Sequence, residues 1–422
     1  MSFETISVIG LGYIGLPTAA MFASRKKKVI GVDVSQHAVD TINKGKIHIV
    51  EPELDMIVHA AVSEGYLKAT IAPEPADAFL IAVPTPFLPT EEGSIPSPDL
   101  SYIEAASKAI APVLKKGDLV ILESTSPVGA TEQMSDWLSQ ARGDLTFPQT
   151  HGEDADINIA HCPERVLPGH VVRELVENDR VIGGLTPKCS QRSVDLYQTF
   201  VQGECVITNA RTAEMAKLTE NSSRDVQIAF ANELSVICDK LDINVWELIA
   251  LANRHPRVNI LQPGPGVGGH CIAVDPWFIV SKTPVEAQII HTARKVNDAK
   301  PGWVIKKVEA AIKTYLKANP EKLEKDITIA CYGLAFKPDI DDLRESPALN
   351  ITKEIAESHL GSVIAIEPNI QSLPKNVSRV KLKKLEDAKK EAQIHVMLVD
   401  HREFKSNVPE GGILIDTKGI WK

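Results

Sequence analysis

Short apolar runs alternate with amphipathic stretches through the first half of the chain. "TISVIGLG", "KVIGVDV", "AFLIAVP" and "LVILEST" are rich in Val and Ile and end in Gly, Pro, Asp or Ser. That is the pattern of short strands buried on both faces. Apolar residues between them recur at helical spacing, as over residues 16–26 and 100–114, and "INIAHCP" and "RVIGG" read as further strands of the same unit. Strands alternating with helices predict a parallel sheet with helices on both faces. From about residue 209 the period changes. Residues 212–241 form one long helical pattern, 245–252 a second, and 284–318 a third that breaks near Pro301. After the polar "ANPEKLEKD" the strand–helix rhythm returns in "ITIACYGLAF", a helix from Pro347, "SVIAIEP", "IHVMLVD" and "GILIDTKG".

The expected fold class is therefore α/β: two Rossmann-like doubly wound parallel-sheet domains joined by a central helical region. The boundaries fall at 1–207, 208–314 and 315–422. A chain of 422 residues exceeds one ordinary core, and 44% hydrophobic with 24% charged residues is normal for a globular protein. The net charge of −9 and pI near 5.8 exclude nucleic acid as the main partner. No stretch has the apolar length needed for membrane insertion. The N-terminal "MSFETISVIGLGYIGLPTAAMFASRKKK" carries its positive charges after the apolar part, the reverse of a signal peptide. Six scattered cysteines without a Cys-x-x-Cys pair read as reduced thiols, which points to the cytoplasm. His161, His255 and His270 form no recognisable ligand set, so no metal is expected.

Chemistry first enters at "VIGLGYIG". Gly10, Gly12 and Gly15 have the G-x-G-x-x-G spacing, directly after a predicted strand and opening a predicted helix. The first glycine makes a tight turn, the second admits a pyrophosphate to the backbone, and the third lets helix and strand pack closely. Tyr13 and Ile14 complete the turn, whose helix N-terminus offers N–H groups to phosphate. Asp33 ends the next strand, 23 residues past Gly10, close to the spacing of a carboxylate that binds a ribose hydroxyl. An acid there repels a 2′-phosphate, so NAD is the expected cofactor. Thr85 in "AVPTPF" and Thr125 in "ESTSPVGAT" sit at strand ends where open α/β sheets bind ligands, and both are expected near the cofactor or a catalytic water. Thr131 is expected to cap a helix.

"QPGPGVGGHCIAVDPWF" places Cys271 in a glycine-rich loop, with Asp275 four residues on. Such a loop is poor for core packing and suits a thiolate that must admit substrate. By itself it leaves a functional and a structural cysteine both open. The other five cysteines fall in strand or helix patterns and read as structural. In "TAEMAKLTENSSRD", Glu214, Lys217 and Asn221 share a helical face. A solvated charged face is the ordinary explanation, but Asn221 is a poor mid-helix residue with no local reason to be there. "HCPERVLPG" places Glu164 and Arg165 just past a strand. "GLAFKPDIDDLRESPA" places Lys337 and Arg344 at the first strand–helix turn of the C-terminal sheet, where phosphate would bind.

Six ordered motifs, "GLGYIGLP", "ESTSPVGAT", "CPERVLPG", "AEMAKLTEN", "GPGVGGHC" and "GLAFKPDIDDLRESP", resemble those of the UDP-glucose/GDP-mannose dehydrogenase family almost end to end. The resemblance implies four-electron oxidation of a sugar C6 alcohol to a carboxylate with two NAD+ in succession. "CPERVLPG" and "NRHPRVNILQPGPGVGGHCIAVDPWF" look most like the branch acting on N-acetylated UDP-hexosamines, with UDP-N-acetyl-D-mannosamine the implied sugar and enterobacterial common antigen its implied destination. Pro168 stands where some UDP-glucose enzymes have an acid, which supports a different sugar.

By the same resemblance Cys271 is the nucleophile, Lys217 with Asn221 stabilises oxyanions, and Asp275 orders a water with that lysine. Glu164 is implied as the general base of hydrolysis, alongside Thr125. Arg344 is placed at the cofactor pyrophosphate. Lys337, Arg165, Val166 and Gly268 are placed at the substrate, together with Lys217 and Asn221. Arg257 is implied to reach substrate from a neighbouring subunit, which requires at least a homodimer, although its loop differs in length from the UDP-glucose branch. The alternatives are another nucleotide sugar (UDP-N-acetylglucosamine, then UDP-glucose), a two-electron NAD dehydrogenase, and a non-catalytic NAD-binding regulatory protein. The second leaves Cys271 and the C-terminal domain without a role. The third leaves Cys271, Lys217 and Glu164 all incidental.

Overall fold

The structure is a computed structural model and describes residues 3–421 apart from residues 50, 92, 167, 168 and 270. Pro168 and His270 thus lie outside the described residues. The chain divides into two compact units, Met1–Glu220 with Trp277–Thr283, and Asn221–Pro276 with Pro284–Lys422. The divide falls inside one long helix, Ala210–Lys240.

The first unit is built on eight strands: β1 (Thr5–Ile9), β2 (Lys28–Val32), β3 (Leu67–Thr70), β4 (Ala78–Ile81), β5 (Leu119–Leu122), β6 (Asn158–His161), β7 (Arg180–Gly184) and β8 (Cys205–Asn209). Their order is β3-β2-β1-β4-β5-β6-β7-β8. The order reverses between β1 and β4, and the crevice at such a reversal is where doubly wound sheets take their ligands. β4 and β5 are buried at every position, as their uninterrupted apolar runs require. One apolar cluster packs beneath the first helix, Gly15–Ser24, and another fills the opposite face around Phe79, Ile81, Ile103 and Met134.

All pairings are parallel except β6 with β7, where Ala160 faces Gly184 and His161 faces Gly183 in antiparallel register. An all-parallel sheet was expected. The run "RVIGG" is apolar in either direction, so periodicity carries no information about its sense. β3 and β8 were missed because "LKAT" and "CVITN" are short and half-polar, as the two edge strands of the sheet.

The second unit carries β9 (Thr328–Tyr332), β10 (Ser362–Ile366), β11 (Val380–Leu382), β12 (Ile394–Met397) and β13 (Ile413–Asp416), all parallel in the order β11-β10-β9-β12-β13. The helix Val245–Ala252 has the expected bounds, with Asn244 Oδ1 accepting the Trp246 and Glu247 N–H groups at 3.0 and 3.1 Å. The third helical pattern differs from expectation. It starts at Gln288 and runs unbroken to Ala318 through Pro301. Proline inside a helix costs about 3 kcal/mol. Here Ala293 before it and Val304, Ile305, Val308 and Ala311 after it are buried along one face, and their packing outweighs that loss.

A buried polar chain joins this helix to the second unit's part of the long helix. Arg294 donates to Asp225 Oδ1 at 2.6 Å and also engages Asp298, while Asn297 Nδ2 donates to Asp225 Oδ1 at 2.8 Å. Asn232 Nδ2 donates to Asn297 Oδ1 at 2.9 Å, and Asn232 Oδ1 accepts the Gly264 N–H at 2.9 Å. The chain therefore ends on the loop that carries Cys271. Removing one partner of a buried charge pair costs about 3–5 kcal/mol because the other charge stays buried. Asp225→Ala is expected to lower the unfolding free energy of the second unit by that order in a urea titration, and an unchanged value would show that the pair does not hold the two helices together.

Candidate functional site

β1 delivers the chain to the glycine turn. Gly10 has φ +91° and donates its N–H to Val32 O at 2.8 Å. A Cβ at Gly10 would lie 2.6 Å from Ala82 O, and one at Gly15 only 1.8 Å from Gly10 O. A Cβ at Gly12 would meet nothing within 4 Å. Two glycines thus shape the turn and the third keeps space open before the helix Gly15–Ser24, with Tyr13 and Ile14 half-buried between them. Asp33, just past β2, accepts the Leu11 N–H at 2.8 Å and the Ser35 N–H at 2.8 Å, so the turn itself aims the carboxylate. Thr85, beyond β4, has a buried hydroxyl with no hydrogen-bond partner among the described residues. This open cradle, fixed carboxylate and orphaned hydroxyl fit a dinucleotide.

Farther along the same strand-end edge, Glu164 follows β6 and is 7% exposed. Its Oε1 accepts the Arg165 N–H at 2.7 Å. Its Oε2 lies 2.8 Å from Arg180 Nη1 as an ion pair, without the alignment of a hydrogen bond. Arg165 reaches away to Glu220 at 2.6 Å, and Val166 packs on the first core. His161, buried beside them on β6, is pushed down to about 3 by burial and is neutral. Glu123 and Arg180 were not singled out from sequence. Glu123 stood in "ESTSPVGAT", which was read for its hydroxyls, and Arg180 opened a run read only as a strand.

The long helix supplies Lys217 and Asn221, one turn apart and both half-buried. Glu214, for which a solvated face is the ordinary explanation, is 1% exposed. Its carboxylate accepts the Gly129 N–H at 2.7 Å and the Thr131 N–H and hydroxyl at 2.8 and 2.6 Å, at the N-terminus of the helix Ala130–Ala141. Burial raises the Glu214 pKa, with the three donors and the helix end opposing it. Thr131 was expected to cap that helix, but the capping acceptor is Glu214 and the threonine hydroxyl donates to it. Thr125 lies half-buried between β5 and this helix.

In the second unit the glycine loop runs against the turn after β9. A Cβ at Gly268 would lie 2.6 Å from Glu345 O and Pro347 Cδ, and one at Gly269 3.5 Å from the Phe336 ring. Cys271 is exposed at the end of this loop, the one exposed cysteine of the six. Its carbonyl accepts the Asp275 N–H at 2.9 Å as the helix Asp275–Lys282 begins. Asp275 is buried, and Asn221 Nδ2 donates to its Oδ2 at 2.5 Å. The mid-helix asparagine thus has a structural reason. Lys337 is exposed beside the Phe336 ring, Arg344 forms a two-point contact with Asp342 at 2.6–3.1 Å, and Arg257 is exposed. Gly10, Gly12, Tyr13, Ile14, Gly15, Asp33, Thr85, Thr125, Glu164, Arg165, Val166 and Lys217 fall in the first unit; Asn221, Arg257, Gly268, Cys271, Asp275, Lys337 and Arg344 fall in the second.

Comparison with known proteins divides the chain in three, the central match taking in residues of both units. Residues 4–201, 211–299 and 330–422 match the NAD binding, central and UDP binding domains of the UDP-glucose/GDP-mannose dehydrogenase family. The chain belongs to that family. It is an NAD-dependent UDP-sugar dehydrogenase. It is 66% identical over its full length and the relative's to a UDP-N-acetyl-D-mannosamine dehydrogenase of Yersinia pestis. An NDP-N-acetyl-D-galactosaminuronic acid dehydrogenase of Ralstonia nicotianae is 63% identical, over all of this chain and 97% of the relative. Among solved structures, the UDP-D-ManNAc dehydrogenase of Pyrococcus horikoshii superposes with a TM-score of 0.85 at 39% identity, over 99% of this chain and 96% of that one. No helix among the described residues is long and apolar enough to cross a membrane.

The glycines of the turn separate two effects. Gly12→Val adds its side chain to space that no protein atom occupies, so it is expected to leave the melting temperature near wild type while weakening NAD+ binding severely. Gly15→Ala meets Gly10 O and is expected to lower both. Calorimetric titration with NAD+ beside a thermal melt checks this, and full NAD+ affinity in Gly12→Val would remove the cradle from the cofactor site.

Proposed function

We propose that the substrate is UDP-N-acetyl-D-mannosamine, oxidised at C6 from alcohol to carboxylate through a thioester on Cys271. The observation that carries this reading is the exposed thiol at the end of a glycine loop seated on the turn after β9, inside the segment matching the family's UDP binding domain. The sugar rests on the 66% identical relative. The Ralstonia relative favours a second reading, an N-acetylgalactosamine nucleotide, at 63% identity.

NAD+, when bound, accepts one hydride in each of the two oxidations. Gly10, Gly12, Tyr13, Ile14, Gly15, Asp33, Thr85 and Thr125 would hold it, with Arg344 at the pyrophosphate. The first oxidation gives an aldehyde, which has no second hydride to lose until a nucleophile adds to it. The Cys271 thiolate adds to the carbonyl carbon and forms a thiohemiacetal, and loss of the second hydride leaves a thioester. Lys217 and Asn221 stabilise the oxyanions in between. Asp275, held by Asn221, orders a water. Glu164 with Thr125 takes a proton from the hydrolytic water as the C–S bond breaks, and that proton returns to the sulfur. Arg165, Val166, Gly268, Lys337 and, across a subunit boundary, Arg257 contact the substrate.

The working unit in this reading is a cytoplasmic homodimer with functional parts 1–207, 208–314 and 315–422, supplying an N-acetylated uronic acid to polysaccharide synthesis such as enterobacterial common antigen. A large exposed apolar set on and after the long helix, Phe230, Ile237, Leu241 and Ile243, supports a second copy as partner.

The test is the amount of NADH formed per acid over a panel of UDP sugars, with Cys271→Ser beside wild type. Two NADH per acid, the highest kcat/KM on UDP-N-acetylmannosamine and no sustained turnover by the serine variant are expected. One NADH per product, or a fully active Cys271→Ser, would sink the thioester route.

A further inference from the structure

A buried charge cluster lies behind Glu164 at the edge of the first sheet. Glu123, directly after β5, is 1% exposed, and Arg180, the first residue of β7, is 3% exposed. The Tyr197 hydroxyl donates to Glu123 Oε1 at 2.6 Å. The guanidinium carbon of Arg180 sits 4.9 Å from the Tyr197 ring centre and 5.9 Å from that of Phe200, so two aromatic faces fix its plane. Its Nη1 faces Glu164 at 2.8 Å. Glu123 Oε2 and Arg180 Nη2 have no hydrogen-bond partner among the described residues.

One guanidinium therefore answers two carboxyls where water has little access. Ionising both would leave a net negative charge buried, which is costly. The remaining facing groups do not correct it. Cys162 after β6, Cys205 on β8, Tyr197 from the helix Pro187–Tyr197 and Thr18 from the first helix are neutral, His161 is neutral on β6, and Asp179 adjoins Arg180 in the chain. Arg165, the neighbouring cation, is engaged by Glu220 and the Asp179 carbonyl. The Glu164 charge therefore acts on Glu123 across the shared guanidinium. Glu164 is in direct contact with the arginine, whereas burial pushes the Glu123 carboxyl up to about 7, with the Glu164 charge adding to the rise and Arg180 opposing it.

We propose that Arg180 is the positioning residue that keeps Glu164 ionised for thioester hydrolysis, and that Glu123 holds the compensating proton of the cluster. This rests on reading Glu164 as the hydrolytic base. The arginine favours the carboxylate form of Glu164, so its loss raises the pH at which Glu164 becomes a base. Glu123 acts in the opposite sense. Neutral at low pH, it gains a negative charge as pH rises through neutrality, and that charge makes Glu164 more basic.

The experiment follows decay of the acyl-enzyme by intact mass after mixing with NAD+ and UDP-N-acetylmannosamine, across a pH series. Arg180→Gln is expected to move the acid limb upward by about 1–3 pH units, the shift an adjacent opposite charge produces, and Arg180→Lys to restore most of it. Wild type is expected to show a second upward step near pH 7, the Glu123 titration, and Glu123→Gln to lack it while keeping the Glu164 limb. Glutamine still accepts from Tyr197, so this variant decides the matter even if Arg180→Gln does not fold. An acid limb unmoved in Arg180→Gln, or the step near pH 7 persisting in Glu123→Gln, overturns the inference. A wild-type decay rate in Glu164→Gln overturns the reading beneath it instead, because the base itself would then lie elsewhere.

Discussion

The Glu214 carboxylate takes three donors from the start of the helix Ala130–Ala141, and the placing of the first unit's candidate site residues on the long helix depends on that contact. It ties the beginning of the long helix to the strand-end side of β5, where Thr125 lies. Lys217 follows by less than one helical turn, so its stem leaves the backbone from a point already fixed. The carboxylate is buried, and burial alone disfavours its charge. Two backbone N–H groups, a hydroxyl and the positive end of a helix dipole offset that cost together, which no single donor would do. A residue that looks like surface decoration is the bolt that sets the lysine.

The second unit solves the same problem with a longer polar chain. Arg294, Asp225, Asn297 and Asn232 are all buried, and each satisfies the next until Asn232 reaches the Gly264 N–H. A glycine-rich loop has little side-chain packing of its own and loses much backbone freedom on ordering. An amide anchor at its entry, with Pro347 and Phe336 against Gly268 and Gly269, restrains it at both ends of the run before Cys271. Asn221 then fixes Asp275 beyond the cysteine. The thiol is exposed while the chain on either side of it is held.

Most of the fold was legible in the sequence because buried parallel strands and amphipathic helices imprint their periods directly. The glycine turn, Asp33 and the long helix were read from residue type and spacing. Strand direction was not legible: "RVIGG" is equally apolar both ways, and it pairs antiparallel with β6. Pro301 was read as a break, since the local penalty is visible in the sequence and the burial that overcomes it is not. Among candidate site residues, those that local spacing brings together could be proposed from the sequence, including Cys271 with Asp275 and Lys217 with Asn221. Those set by long-range burial were misread or missed. Glu214 lies 83 residues from Thr131, and Tyr197 lies 74 from Glu123. Charge in a sequence looks solvated until the fold shows what surrounds it.

The contact of Gly268 with Glu345 and Pro347 makes the turn after β9 and the cysteine loop a single gauge. No side chain can be inserted at that point without pushing the two apart. On the proposed reading, a diphosphate held at that turn would present carbon atoms to the sulfur at a distance the backbone sets. Such a gauge would measure how far a carbon lies from the nucleotide and would be blind to which way a ring substituent points. On that reading, reach along the substrate would follow from the glycine, and discrimination among sugars of equal length would fall to side chains around the ring.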